Sequence, residues 1–153
     1  MRRFVAFVLF CLFLLLTACT PIRSAAEWAK RIEAGASLPV GVWYHGGAEP
    51  WEEGYLPDAL RPVFFGEGGE TDVDYRLFLG TDGETLAELL VAVCPTEAAA
   101  VSLSEHLAVR LAYLREQGEE QFSVSLGDAA VRRRERTVFY TAVPCNKRVL
   151  DLF

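Results

Sequence analysis

Histidine is nearly missing from this 153-residue chain: there are two, His45 and His106. Neither belongs to an HExxH pattern, and no CxxC pair occurs, so the sequence carries no zinc-ligand spacing. Lysine is equally scarce, with Lys30 and Lys147 alone, and arginine supplies the remaining positive charge. Positive charge as a whole is in deficit, 15 basic against 21 acidic residues for a net −6. That balance excludes the basic footprint a nucleic-acid binder needs, and no nucleic-acid partner is expected. There is no internal repeat and no composition shift that would mark a second domain. No apolar run reaches the roughly 20 residues a spanning helix requires. The longest, Phe4 to Leu16, is too short, and Thr17, Thr20 and Pro21 do not extend it.

What that run does fit is an export signal. Arg2 and Arg3 form a charged start, Phe4 to Leu16 an apolar middle, and Leu16-Thr17-Ala18-Cys19 a small-residue cleavage site ending in cysteine. The order is that of a lipoprotein signal with its lipobox. Residues 1–18 are expected to be removed, residues 19–23 to form a lipidated tether, and residues 24–153 to form one domain. A thiol is the nucleophile that accepts a diacylglycerol thioether, so Cys19 is the expected lipidation site. That covalent diacyl or acyl lipid is the one non-protein group expected, with no cofactor and no metal. One acyl chain holds a protein marginally and two or more hold it stably. Removing residues 1–18 takes two of the fifteen basic residues and none of the acidic ones, leaving 13 against 21 and a net −8. The expected location is the membrane surface outside the cytoplasm.

Local signals then outline an α+β domain. Ser24-Ala25-Ala26-Glu27 is a capping box, followed by a helix over Ala25 to Ala34 with Gly35 as its stop. Leu38 to Pro50, rich in glycine and aromatics, is expected to be irregular. A second helical turn is expected over Pro57 to Leu60, ended by Arg61-Pro62. Tyr75 to Leu79 alternates and predicts a strand, turned by Gly80-Thr81-Asp82-Gly83 into a second over Glu88 to Cys94, with a helix over Glu84 to Val93 as the alternative. Pro95-Thr96 opens a long helix, Glu97 to Gln117, with Ala100, Leu103, Leu107, Leu111 and Leu114 on one face and Gly118 as its stop. Phe122 to Asp128 is a loop or short strand. Ala130 to Arg134 and Thr137 to Val143 predict a second hairpin, and Lys147 to Phe153 a short closing helix. The expected order is α-α-β-β-α-β-β-α, a four-stranded antiparallel or mixed sheet packed on the long helix.

Five groups of residues are candidates for chemistry. Trp43, Tyr44, His45, Trp51 and Tyr55 lie in a glycine-rich stretch, where aromatics either line a ligand or partner groove or plug an irregular loop onto the sheet. Arg132, Arg133, Arg134 and Arg136 form one basic cluster, suited either to anionic headgroups or to guarding an edge strand. Cys94 and Cys145 are either buried thiols or a disulfide. A crossover helix should place them at opposite ends of the sheet, which argues against the bond. Asp72, Asp74, Asp82 and Glu84 are oxygen donors, but their spacing is not that of an EF-hand. His45 and His106 lack the motif a Cys–His catalyst would bring.

From Ser24 to Phe153 the layout resembles a clostridial-type family of small bacterial lipoproteins defined only as a domain of unknown function. The resemblance rests on Asp74-Tyr75-Arg76-Leu77-Phe78, on Ala87-Glu88-Leu89-Leu90-Val91-Ala92-Val93, and on the helix carrying Leu107, Arg110, Leu111 and Leu114. It extends through Asp128-Ala129-Ala130-Val131 and Val138-Phe139-Tyr140-Thr141-Ala142-Val143. It implies a lipobox and an anchor in the outer leaflet of the cytoplasmic membrane, and it supplies no catalytic residues. The expected function is a lipid-anchored cell-envelope module that binds a protein or small ligand without catalysis. The alternative is an extracytoplasmic, hydrolase-like enzyme with a carboxylate site.

Overall fold

The computed structural model describes residues 23–68, 72–82, 86–117 and 126–153. The expected signal segment, Cys19, Glu84, Gly118 and most of the segment after it lie outside the described residues. In chain order the elements are α1 (Ala25–Gly35), β1 (Gly41–His45), α2 (Arg61–Phe65), β2 (Asp74–Gly80), β3 (Glu88–Val93), α3 (Glu97–Gln117), β4 (Ala130–Arg134), β5 (Thr137–Ala142) and α4 (Asn146–Leu150). The strands form a five-stranded sheet in the order β1-β2-β3-β5-β4, antiparallel throughout.

Two expectations are corrected. The sheet has five strands rather than four, because Gly41–His45, expected to be irregular, pairs with β2 from Gly41↔Gly80 to His45↔Arg76. Every residue of β1 is half-buried, so the strand shows no inside-outside alternation to read. Glycine at 41 is what lets it close on β2: a Cβ there would collide with the Phe78 ring and the Leu79 carbonyl. The second correction moves the short helix. Arg61-Pro62 opens α2 instead of ending a helix, since proline fits the first helical turn, where its missing N–H leaves no bond unmade.

The other elements follow their local chemistry. Ser24 accepts from Glu27 N–H at 3.2 Å while the Glu27 carboxylate accepts from Ser24 N–H at 3.0 Å, the reciprocal box. Thr96 Oγ1 accepts from Ala99 N–H at 3.1 Å and caps α3. β3 is buried on both faces, because both faces of the sheet are covered.

One face packs against α2 and α3, with Tyr75, Leu77, Leu90, Ala92, Val138 and Tyr140 meeting Leu103, Leu107, Leu111 and Leu114. The other packs against α1 and α4, with Phe78, Leu89, Val91 and Phe139 meeting Ile32, Val149 and Leu150. α3 carries the chain from β3 past β5 to the edge strand β4, which runs in the same direction as β3. No described helix is long and apolar enough to cross a membrane.

Candidate functional site

The aromatic set does not converge. Trp43 and Tyr44 are neighbours on β1 and therefore point to opposite faces. The Trp43 ring packs 5.3 Å from Phe78 in the α1 layer, while Tyr44 joins the α3 layer. Trp43 and Tyr44 thus plug the sheet. His45 N–H donates to the Gly54 carbonyl at 2.9 Å, which folds the following loop back on the edge strand. Gly54 takes φ +91° beside the His45 ring, where a side chain would be both strained and crowded. Tyr55 O–H donates to Asp58 Oδ1 at 2.7 Å, and the Arg61 guanidinium lies 5.0 Å above its ring. That bond to Asp58 pushes the Tyr55 phenol above its ordinary range. Trp51 alone of the set stands free, 81% exposed.

The two cysteines among the described residues, Cys94 and Cys145, are both free. Cys94 follows β3 and donates its N–H to the Arg136 carbonyl at 2.9 Å, whereas Cys145 follows the far end of β5. The six paired rows between them put the two about 20 Å apart, so the disulfide alternative falls. Burial pushes both thiols up, which makes neither a ready nucleophile. The acidic donors separate as well. Asp74 and Asp82 lie at opposite ends of β2, about 20 Å apart, and Asp74 Oδ2 accepts from Ala25 N–H at 2.9 Å. Among the described residues no three His, Cys, Asp or Glu side chains gather as a metal site would require. His106 Nε2 donates to the Val63 carbonyl at 3.0 Å and ties α2 to α3.

The arginine cluster splits. Arg132 reaches the Leu150 carbonyl of α4 at 3.4 Å. Arg133 donates to the Glu135 carbonyl at 3.2 Å and Arg136 to the Pro95 carbonyl at 3.0 Å. Bonds to carbonyls hold these side chains without cancelling their charge.

Two features were not anticipated from the sequence. The first is a buried polar cluster under α3. Glu88 Oε2 accepts from Tyr140 O–H at 2.7 Å and from Arg110 Nε at 2.7 Å, and Arg110 Nη2 pairs with Oε1. The Phe64 ring lies 4.7 Å from the guanidinium and closes it over. Tyr140 sits opposite Leu90 and therefore diagonal to Glu88 on the same face. Burial first, then the adjacent Glu88 charge, pushes the Tyr140 phenol far up. Both carboxylate oxygens are occupied from within, so the cluster fastens helix to sheet.

The second is the outer ridge of α3. Val101, Val109 and Tyr113 are 37%, 70% and 54% exposed, and with Glu105 they form one row at a spacing of four. Ala98, Ala108 and Ala112 flank it, also exposed. The ridge is about 18 Å long, carries Glu105 near its middle, and is convex. Its signal was present in the sequence: α3 is apolar on both sides, more than one buried stripe needs. Shallow grooves occur elsewhere, one lined by Asp128, Cys145, Lys147 and Asp151, the other by Gly46, Gly47, Asp72 and Arg76.

No family model matches the chain, and no curated protein or solved structure matches it.

Proposed function

We propose that this protein is a lipid-anchored extracytoplasmic module that binds an envelope protein through the outer ridge of α3. Cys19 carries the lipid, and the domain stands on the outer leaflet of the cytoplasmic membrane as a member of the clostridial-type lipoprotein family it resembles. The observation that carries the reading is the exposure of Val101, Val109 and Tyr113 in one row. A convex apolar row flanked by exposed alanines suits a protein surface, whereas small ligands favour concave sites. Glu105 in that row asks for a partner with an apolar face and a cation opposite it.

A photo-crosslinking amino acid at position 109, in cells making the full chain, tests this. The expected result is one discrete adduct, lost in Tyr113→Glu and absent when the crosslinker stands at Lys30 on α1. Equal labelling from both positions, or an adduct indifferent to Tyr113→Glu, rejects the ridge. Separately, Cys19→Ala is expected to leave uncleaved precursor with no acyl label, and a normal mature mass in that variant rejects the anchor.

A further inference from the structure

The beginning of the domain and the arginine turn share one end of the sheet. The pairings Asp74↔Val93, Val93↔Thr137 and Thr137↔Arg134 form one row across four strands. Asp74 holds the N-terminus of α1 through its bond to Ala25 N–H, so Arg23 and Ser24 stand beside this row. Arg134 lies three strands away in the row, about 14 Å. The β4–β5 turn, with Glu135 at φ 52°, continues outward at the same end and carries Arg133, Arg134 and Arg136. Arg132 is not part of this surface, because its guanidinium turns back to α4, whereas the Arg23 guanidinium lies 5.4 Å over the Trp28 ring near the start of α1 and stays at this end.

Charge is uneven across that end. The β4–β5 corner has three arginines against Glu135, Glu97 follows β3 in the middle, and Asp72 and Asp74 stand at the start of β2, so the positive charge is confined to the corner. The loop after β1, on the other side, has Glu49, Glu52 and Glu53, all exposed. Three residues lie between Cys19 and Arg23, and the four residue steps span at most about 14 Å. A lipid on Cys19 would therefore enter the bilayer from this end and not from the end bearing Asp82.

We infer that the corner formed by Arg23, Arg133, Arg134 and Arg136 lies on anionic phospholipid headgroups. The domain tilts so that the β4–β5 turn points down and the loop of residues 46–53 is lifted away. The tether brings the turn within a Debye length of the surface, where each arginine adds attraction and the glutamates of the β1 side are repelled. This inference deepens the proposed function and rests on the Cys19 anchor.

The test uses the mature protein recovered from membranes, whose intact mass is measured first and reports the lipid. An environment-sensitive fluorescent amino acid is placed at 135, 53 or 82, sparing the native cysteines. The protein is reconstituted in phosphatidylcholine vesicles with headgroup quencher, with or without phosphatidylglycerol. The expected result is strong quenching at 135, less at 53 and none at 82, dependent on phosphatidylglycerol. It is lost at high salt and in Arg133→Gln/Arg134→Gln/Arg136→Gln. Quenching at 53 equal to that at 135, or indifference to phosphatidylglycerol, overturns the inference. If the mass shows no lipid, the anchor fails by itself, and sedimentation of that mature form with the same vesicles decides the surface. Binding about 100-fold weaker in the triple variant retains it, and no response to phosphatidylglycerol overturns it.

Discussion

The two faces of the sheet are closed in different ways. Under α3 the polar tie is ionic: Glu88 is shared between Arg110 of the helix and Tyr140 of the sheet. Under α4 it is neutral. Asn146 Oδ1 accepts from Thr141 O–H at 2.7 Å and from Val143 N–H at 2.9 Å, and the Phe153 ring stacks on Phe139 at 4.8 Å and meets Trp28 at 5.3 Å. Helix length explains the contrast. A helix of 21 residues is long enough to hold its own backbone bonds, so two arginine ties, Arg110 to Glu88 and Arg115 to the Leu126 and Ala129 carbonyls, fix how it lies. A helix of five residues has no such reserve, and α4 exists because Asn146 fastens its start and the C-terminal phenylalanine covers its end.

Breaking the ionic side should have the largest effect. Glu88→Ala leaves a buried guanidinium and a buried phenol unpaired beneath Phe64, and is expected to cost about 3–5 kcal/mol in urea unfolding. Replacing Glu88, Arg110 and Tyr140 together by apolar residues of similar volume should restore most of that loss. Failure of the triple variant to recover would mean that the cluster specifies the α3 position rather than merely tolerating burial. On the neutral side, Phe153→Ala removes two ring contacts from a half-buried residue and is expected to cost about 2 kcal/mol. The loss should be accompanied by faster hydrogen exchange in α1 and α4 while α3 keeps its protection. Equal exchange in all three helices would make the two faces one cooperative unit.

The reading of local sequence follows the same contrast. β2, β3, α3, β4 and β5 were legible because each has a nearby partner or cap: hairpin neighbours, the Thr96 cap, the leucine row from Leu103 to Leu114. β1 was not, because its partner β2 comes after a long excursion through α2, and Val42, Trp43 and Tyr44 present apolar or aromatic groups to both faces. Glu88 was visible only as the first residue of a strand. Nothing near it in sequence announces Arg110, 22 residues on, or Tyr140, 52 residues on. The basic cluster was legible as composition, but its sharing of one sheet end with Arg23 depended on the pairing rows.

Asn146→Ala should cost about 1–2 kcal/mol, since it strands the Val143 N–H and the Thr141 hydroxyl in a buried turn. Tyr140→Phe should cost about 1 kcal/mol at neutral pH and also change the pH profile. Burial and the Glu88 charge hold the folded Tyr140 phenol above the unfolded value near 10, so the folded state keeps its proton when the unfolded state has begun to lose it. Stability from this group is therefore complete below about pH 10 and declines above it. The wild type should lose stability with rising pH in that range, and Tyr140→Phe should lose less of it. Parallel decline in both would place the alkaline sensitivity elsewhere.

The smallest effect belongs to the outside of the same helix. Val109 stands 70% exposed on α3, one residue before Arg110 in the chain and on the opposite flank from the cluster. Val109→Ser removes an apolar group that touches water in the free protein, so its cost in urea unfolding should stay within about 0.5 kcal/mol. An exposed valine that contributes nothing to folding is what the proposed contact through the outer ridge requires. If Val109→Ser instead costs as much as Asn146→Ala, the residue is paying into the fold, and the outer ridge belongs to the core beneath it rather than to a partner.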